Sequence, residues 1–314
     1  MKFVELKYLS IFIFLLTPPL FSQAPLISPL LSFGEKGEAP GSFLRPISLS
    51  VDAQGNIYVL DYTAHRLQKF SPQGKLLAFV GGFGWNARQF QFPQKVFVYN
   101  SLDVFVADYE NKRIERYDKD LNWVASYYSD KNLPLQLQFF FPRAVCISLH
   151  GDFIIIDGEY NRVLKYNARF EPEISFGDFD WDRGKLVEPA SAAVTSKDLL
   201  VVTDPGDRDV KIYDYFGNFL FSLEGHFFKK PFGVAVDPAG RIFVSDIGNH
   251  QIHIFNADFS FNSSFGSFGD KLGAFNEPTD IAIYRDLLYV ADTGNHRIQI
   301  FQITWENKTA EPSE

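Results

Sequence analysis

Six segments of the chain open on an aspartate, pass through a short polar loop and end in an alternating apolar run. They are residues 61–70 (DYTAHRLQKF), 108–117 (DYENKRIERY), 157–166 (DGEYNRVLKY), 204–213 (DPGDRDVKIY), 246–255 (DIGNHQIHIF) and 292–301 (DTGNHRIQIF). Each aspartate can accept hydrogen bonds from the backbone N–H groups of its own turn, and the arginines Arg66, Arg113, Arg162 and Arg297 can pair with such a carboxylate. Unit four puts Asp209 in the arginine slot and unit five Gln251, so their corners should be weakened or rearranged, and unit four should be the most irregular. His65, His250 and His296 share one slot. Three histidines invite zinc, but equivalent positions in packed sheets stand roughly 10 Å or more apart, whereas zinc needs each nitrogen within about 2 Å. They read as structural residues, and no metal is assigned. His226 stands alone. Glu188 and Glu277 are the only candidates for a hydrolytic carboxylate pair, which must face one cleft about 5–10 Å apart, and they lie two units apart. Gly-x-Ser-x-Gly, phosphate-loop, His-Glu-x-x-His and Cys-x-x-Cys signatures are absent. No catalytic residue or cofactor is assigned, and whether the chain is an enzyme stays open.

The elements that must position these residues follow from the spacing. Successive aspartates are 47, 49, 47, 42 and 46 residues apart, the period of a four-stranded propeller blade. The spacing predicts an all-β, six-bladed β-propeller of four-stranded antiparallel blades over residues 25–304. A proline precedes the first strand of each unit (Pro46, Pro93, Pro142, Pro189, Pro231, Pro278), where it can shape an incoming turn without breaking a ladder. The last unit stops after its third strand, near residue 303, while residues 27–33 resemble the fourth strand of other units. They should therefore supply the outer strand of blade six and close the ring, which removes two exposed edges. Residues 305–314 read as a polar tail. The longest connection, residues 129–141 with three consecutive phenylalanines, is a lid over one face, a contact surface, or a segment tucked into the gap between two blades.

Composition bounds the partners. The 38 acidic and 30 basic residues give a net charge of −8, which offers no whole-chain attraction for nucleic acid or an anionic bilayer. Lys2 and Lys7 precede an apolar run over residues 8–16, then Thr17-Pro18-Pro19 and the small Ser22 and Ala24, which reads as a signal peptide over residues 1–24. The run is shorter than the roughly 20 residues of a membrane span. The expected location is therefore periplasmic or secreted. Cys146, the only cysteine, can form no internal disulfide and should be a small buried hydrophobe.

An up-and-down blade puts the loops leading into strand one on the same face as the Asp-headed corners, here called the upper face. That face holds the residues that differ between units. Arg45, Lys95, Arg143 and Lys230 should stand near the central mouth together with Glu188, Glu277 and Asp280, and with Tyr62, Tyr109 and Tyr160 farther out. The cations would favour a carboxylate, phosphate or acidic protein loop, and the tyrosines a sugar ring or peptide.

With these residues quoted, the chain resembles the NHL-repeat β-propellers. Asn249-His250 with Ile252 and Asn295-His296-Arg297-Ile298 are the best matches, and the resemblance spans residues 27–303. Units two, three and four carry Lys112, Asn161 and Arg208 where histidine stands. The resemblance implies a closed six-bladed ring and a broad range of roles. One branch is similar to zinc-dependent peptidyl-hydroxyglycine amidating lyases, whose histidine set does not map here. Another binds RNA through a basic face, against which this chain's acidity counts, and a third serves as interaction domain of envelope proteins. The expected function is an exported module binding an envelope or extracellular protein, peptide or glycan, with no nucleic acid partner; the alternative is a metal-dependent lyase or hydrolase with its site at the mouth of the central channel.

Overall fold

The structure, a computed structural model, describes residues 24–178, 184–223 and 227–305. Residues 1–23, which carry most of the expected signal peptide, His226, and all of the tail beyond Trp305 lie outside the described residues.

Strand β1 (Leu26–Phe33) comes first, then the blades in chain order. Blade one is β2 (Pro46–Val51), β3 (Ile57–Asp61), β4 (Arg66–Phe70) and β5 (Leu76–Gly81). Blade two is β6 (Pro93–Tyr99), β7 (Asp103–Asp108), β8 (Arg113–Asp118) and β9 (Trp123–Tyr128). Blade three is β10 (Pro142–Ile147), β11 (Phe153–Asp157), β12 (Arg162–Tyr166) and β13 (Pro172–Phe176). Blade four is β14 (Ser191–Val194), β15 (Leu200–Asp204), β16 (Asp209–Tyr213) and β17 (Phe219–Ser222). Blade five is β18 (Pro231–Val236), β19 (Ile242–Asp246), β20 (Gln251–Phe255) and β21 (Phe261–Phe265). Blade six is β22 (Pro278–Tyr284), β23 (Leu287–Asp292) and β24 (Arg297–Thr304), completed on its outer edge by β1.

Each blade is an antiparallel meander whose first strand lies at one end of the sheet order and lines the channel. Second strands such as β3, β11, β15 and β19 are buried along their whole length, because a blade has a neighbour on each face. Outer strands alternate, as β5 does, with one face towards water. The core is six separate clusters, one in each gap between adjacent blades. Tyr58, Leu60 and Leu67 of blade one meet Val96, Val104 and Val106 of blade two, while Leu49 and Val59 meet Tyr289 and Ile300 of blade six. Cys146 lies in the gap between blades three and four, and burial pushes its thiol up to about 12, which keeps it protonated.

The ring closes as the sequence predicts. Strand β1 pairs antiparallel with β24, from Leu26 opposite Thr304 to Phe33 opposite Ile298. Phe33 then reaches into blade one, its ring 5.0 Å from that of Phe70. Since Leu26 faces Thr304, both ends of the closing pair lie on the face opposite the Asp-headed corners. The long connection resolves to packing between blades two and three. It makes a 3₁₀ turn at Leu135–Leu137 and buries Phe139, while Arg162 donates to the Leu135 and Gln138 carbonyls at 2.8 and 2.7 Å. Among the described residues no helix is long and apolar enough to cross a membrane.

Candidate functional site

The corner residues set the mouth of the channel. Asp61 accepts from the amides of Leu44 and Arg45 at 2.8 and 2.9 Å, pinning the incoming segment of β2 to the end of β3. Asp204 holds Val187 and Glu188, and Asp246 holds Lys229 and Lys230, in the same way. Each arginine reaches back to the preceding connection; Arg113, for instance, donates to the carbonyls of Trp85, Asn86 and Gln89. Blade four compensates for Asp209 with Lys211, two residues on, whose ammonium lies 3.2 Å from Asp204. In blade five Asn249 donates to Asp246 at 3.0 Å, and His253 lies 3.5 Å from it. These two corners are rearranged rather than lost.

The shared histidine slot has a backbone cause. His65, Lys112, Asn161, Arg208, His250 and His296 all have φ between 51° and 57°, the left-handed region that asparagine and histidine tolerate better than most. The three histidines also tie blades together. His65 Nδ1 accepts the Phe92 amide at 3.1 Å and His250 Nδ1 the Glu277 amide at 3.2 Å, while His296 Nδ1 lies 2.8 Å from the Leu44 carbonyl. Among the described residues no three His, Cys, Asp or Glu side chains converge to hold a metal ion.

Inside this frame lies a cup of about 280 Å³ at the upper end of the channel. Its wall carries Tyr62, Gln94, Tyr109, Arg143 and Glu188, and its floor Ser48, Lys95, Ser191 and Asp280. Tyr62 and Tyr109 stand on the corner loops of blades one and two, each packed on the phenylalanine that leads into the next blade, Phe92 and Phe141, at 5.1 Å. They thus line the mouth, closer in than the sequence places them. Blade three has Gly158 at that position. A Cβ there would come within 2.6 Å of Arg143 Nε, so the missing side chain lets the guanidinium lie across the corner. Arg143 Nη1 reaches Glu188 Oε1 at 3.5 Å.

The floor is an ion pair. Lys95 Nζ lies 2.7 Å from Asp280 Oδ1 and 2.9 Å from Oδ2, and it also donates to Ser191 Oγ at 3.2 Å. Asp280 Oδ2 further accepts from Ser48 Oγ at 2.6 Å and from the Leu49 amide at 3.0 Å. Four blades thereby meet at one point, and both charges are buried with their hydrogen bonds met. All four residues stand two places after the recurrent proline, where Ala144 and Gly233 complete the ring. A Cβ on Gly233 would approach Asp280 Cα to 2.7 Å, so that glycine makes room for the carboxylate.

Of the other sequence candidates, Arg45, Lys230 and Tyr160 do not line the cup. Arg45 is exposed over the Tyr62 ring, 5.7 Å from its centroid, and Lys230 is an exposed side chain on the lead-in to β18. Tyr160 sits under Arg162, 4.7 Å away, and beside Phe140. Lys95 is in the cup, but its charge is already met by Asp280. Glu188 reaches the cup and Glu277 does not line it. Asp280 stands at the mouth as the sequence places it, but as the buried partner of Lys95, in a slot after the proline that holds one lysine and one aspartate among small residues.

Comparisons with known proteins agree with this architecture. The NHL repeat family matches residues 43–70, 228–255 and 275–301, which are blades one, five and six from lead-in to third strand. The human E3 ubiquitin-protein ligase NHLRC1 is 35% identical over 110 residues, covering 35% of this chain and 28% of its own. Peptidyl-alpha-hydroxyglycine alpha-amidating lyase 1 of Drosophila melanogaster is 27% identical over 250 residues, covering 68% of this chain and 44% of its own. The chain therefore spans less than half the length of either relative. A catalytically inactive virginiamycin B lyase from Staphylococcus aureus, solved with quinupristin, shares the fold with a TM-score of 0.59 at 14% identity, over 86% of this chain and 87% of that one.

Proposed function

The chain belongs to the NHL-repeat β-propellers, and we propose that it uses the cup at the upper end of its channel to hold a peptide segment or peptide terminus. The observation that carries this reading is the convergence of both charge signs and two aromatic faces on one cup. Arg143 and Glu188 stand on one wall, and Tyr62 and Tyr109 on the other, over a floor whose own charges cancel. A guanidinium takes a carboxylate in a two-pronged bond, a carboxylate takes an ammonium or amide N–H, and tyrosine rings take the flat faces between. The volume lies at the low end for ligand sites, which suits a loop tip or two to three residues rather than a folded partner. The charged-then-apolar start of the sequence supports export, so the ligand would be met in the periplasm or outside the cell. Calorimetric titration with short peptides bearing free termini tests the reading. Arg143→Ala and Tyr109→Ala should each weaken binding about tenfold, as expected for one charge-assisted bond or one ring contact of about 1.4 kcal/mol. Native affinity in both variants would remove the cup as the site.

A second reading is catalytic, and the comparisons support it better than they support any particular binding partner. A lyase is among the sequence relatives and another shares the fold. The described residues do not form a metal site, so no metal-assisted step is drawn. What the cup itself offers is Glu188 to receive a proton, the Tyr62 and Tyr109 hydroxyls to give one, and Arg143 to steady a developing negative charge. Incubation with a peptidyl-α-hydroxyglycine and with quinupristin, followed by mass spectrometry, decides it. A cleaved product lost in Glu188→Gln supports catalysis in the cup, and intact substrates exclude these two activities.

A further inference from the structure

Beneath the Lys95–Asp280 floor the channel opens into a second, larger chamber of about 430 Å³, space for about 14 waters. It is built from the first strands of all six blades, and it faces away from the cup. Its lining holds one charged side chain, Lys95, and Asp280 already neutralises that charge. The ion pair thus divides the channel into a charged upper cup and an uncharged lower chamber.

The chamber wall is a set of strand edges. Each first strand is hydrogen-bonded on one side only, so alternate backbone amides and carbonyls face the axis. Blade two has its amides answered by serines of blade one: the Val96 amide donates to Ser48 Oγ at 3.1 Å and the Val98 amide to Ser50 Oγ at 3.0 Å. Blades four, five and six carry Ala193, Ala235 and Ala282 at the position of Ser50. Val194, Val236 and Ile283 stand opposite Leu200, Ile242 and Leu288 in the register that sets Val98 opposite Val104. Among the described residues no side chain accepts from their amides. Half of the chamber therefore combines open backbone edges with the space left by three alanines, a surface that favours a partner bringing amide donors and acceptors of its own.

We propose that the lower chamber is a second ligand site that takes an uncharged, extended peptide segment by pairing with the open edges of β14, β18 and β22. A charged end would be stripped of water with no counter-charge in reach, which disfavours free termini there. The site stands whether or not the cup binds what is proposed for it.

The probe is a valine- and alanine-containing tetrapeptide blocked at both ends, titrated calorimetrically into the whole protein. Saturable binding is expected, weakened at least tenfold by Ala235→Leu, which fills the chamber. Ala193→Ser gives the Val236 amide the hydroxyl that Ser50 gives Val98 and changes volume little, so it keeps the fold; a several-fold loss is expected. Arg143→Ala, which strips the cup, should leave the affinity unchanged, and in that variant the same tetrapeptide with free termini should bind more weakly. No saturable binding to the native protein, binding as tight as the native protein's by Ala193→Ser and Ala235→Leu, or loss on Arg143→Ala would each overturn the assignment.

Discussion

Lys95 and Asp280, 185 residues apart and on blades two and six, meet at 2.7 Å on the channel axis and close it. Removing one partner leaves the other buried and unpaired. Lys95→Met should cost about 3–5 kcal/mol in urea denaturation, and adding Asp280→Leu should restore much of that loss. A Lys95→Met protein as stable as the native one would show that the pair does not hold the blades.

The substitute lysine of blade four should matter as much as an arginine does elsewhere. Lys211 touches Asp204, which is wholly buried and pins the lead-in to β14. Lys211→Met should therefore destabilise by about 3 kcal/mol. The loss should exceed that of Lys119→Met, whose partner Asp120 is an exposed surface pair.

Two corner aspartates should titrate in opposite senses. Burial pushes Asp108 up to about 6, against the bonds from Gln91, Asn111 and Arg113. Its folded state holds a proton that the unfolded chain releases near pH 4, so its contribution is full below pH 4 and is lost as pH rises through 6. For Asp246 burial also opposes ionisation, but His253 and the amides of Lys229, Lys230 and Asn249 outweigh it and hold the carboxyl below its usual range. That contribution is present above about pH 4 and is lost on further acidification. Stability measured from pH 3 to 7 should keep its acid-side fall in Asp108→Asn while losing the decline between pH 4 and 6. An unchanged slope between pH 4 and 6 would contradict the Asp108 assignment.

Ring closure rests on Phe33 as well as on backbone pairing. Its ring packs on Phe43 and Phe70 of blade one, and it is half-buried. Phe33→Ala should cost about 2–3 kcal/mol, somewhat under the range for a fully buried phenylalanine. Deleting residues 1–33 removes all of β1 and exposes the edge of β24, and size-exclusion chromatography should then show self-association.

The last pairing also fixes orientation. Leu26 and Thr304 lie together on the face away from the cup. Tethering the protein to a surface through Leu26→Cys or Thr304→Cys should leave peptide capture by the cup intact, and equal loss from both tethers would place the site on the lower face.

The residues differ in how far they could be read in advance. Asp61 and its five equivalents were legible as corner acceptors because an aspartate beside its own turn acts locally, and the closing role of residues 27–33 followed from a repeat that lacked its fourth strand. Tyr62 and Tyr109 were legible as ring surfaces but not in position, since the phenylalanines that turn them inward belong to the following blade. Lys95 was legible only as a cation. Its partner lies four blades onward in the chain and next but one around the closed ring.

The period, the six blades, the corner chemistry and the source of the missing strand can be read along the chain, because each depends on residues within one unit or on the count of units. The division of the channel was decided by the tertiary structure alone. The residues two places after each proline are equivalent along the chain, and only the closed ring brings their unlike side chains to one axis, where Lys95 and Asp280 can neutralise each other.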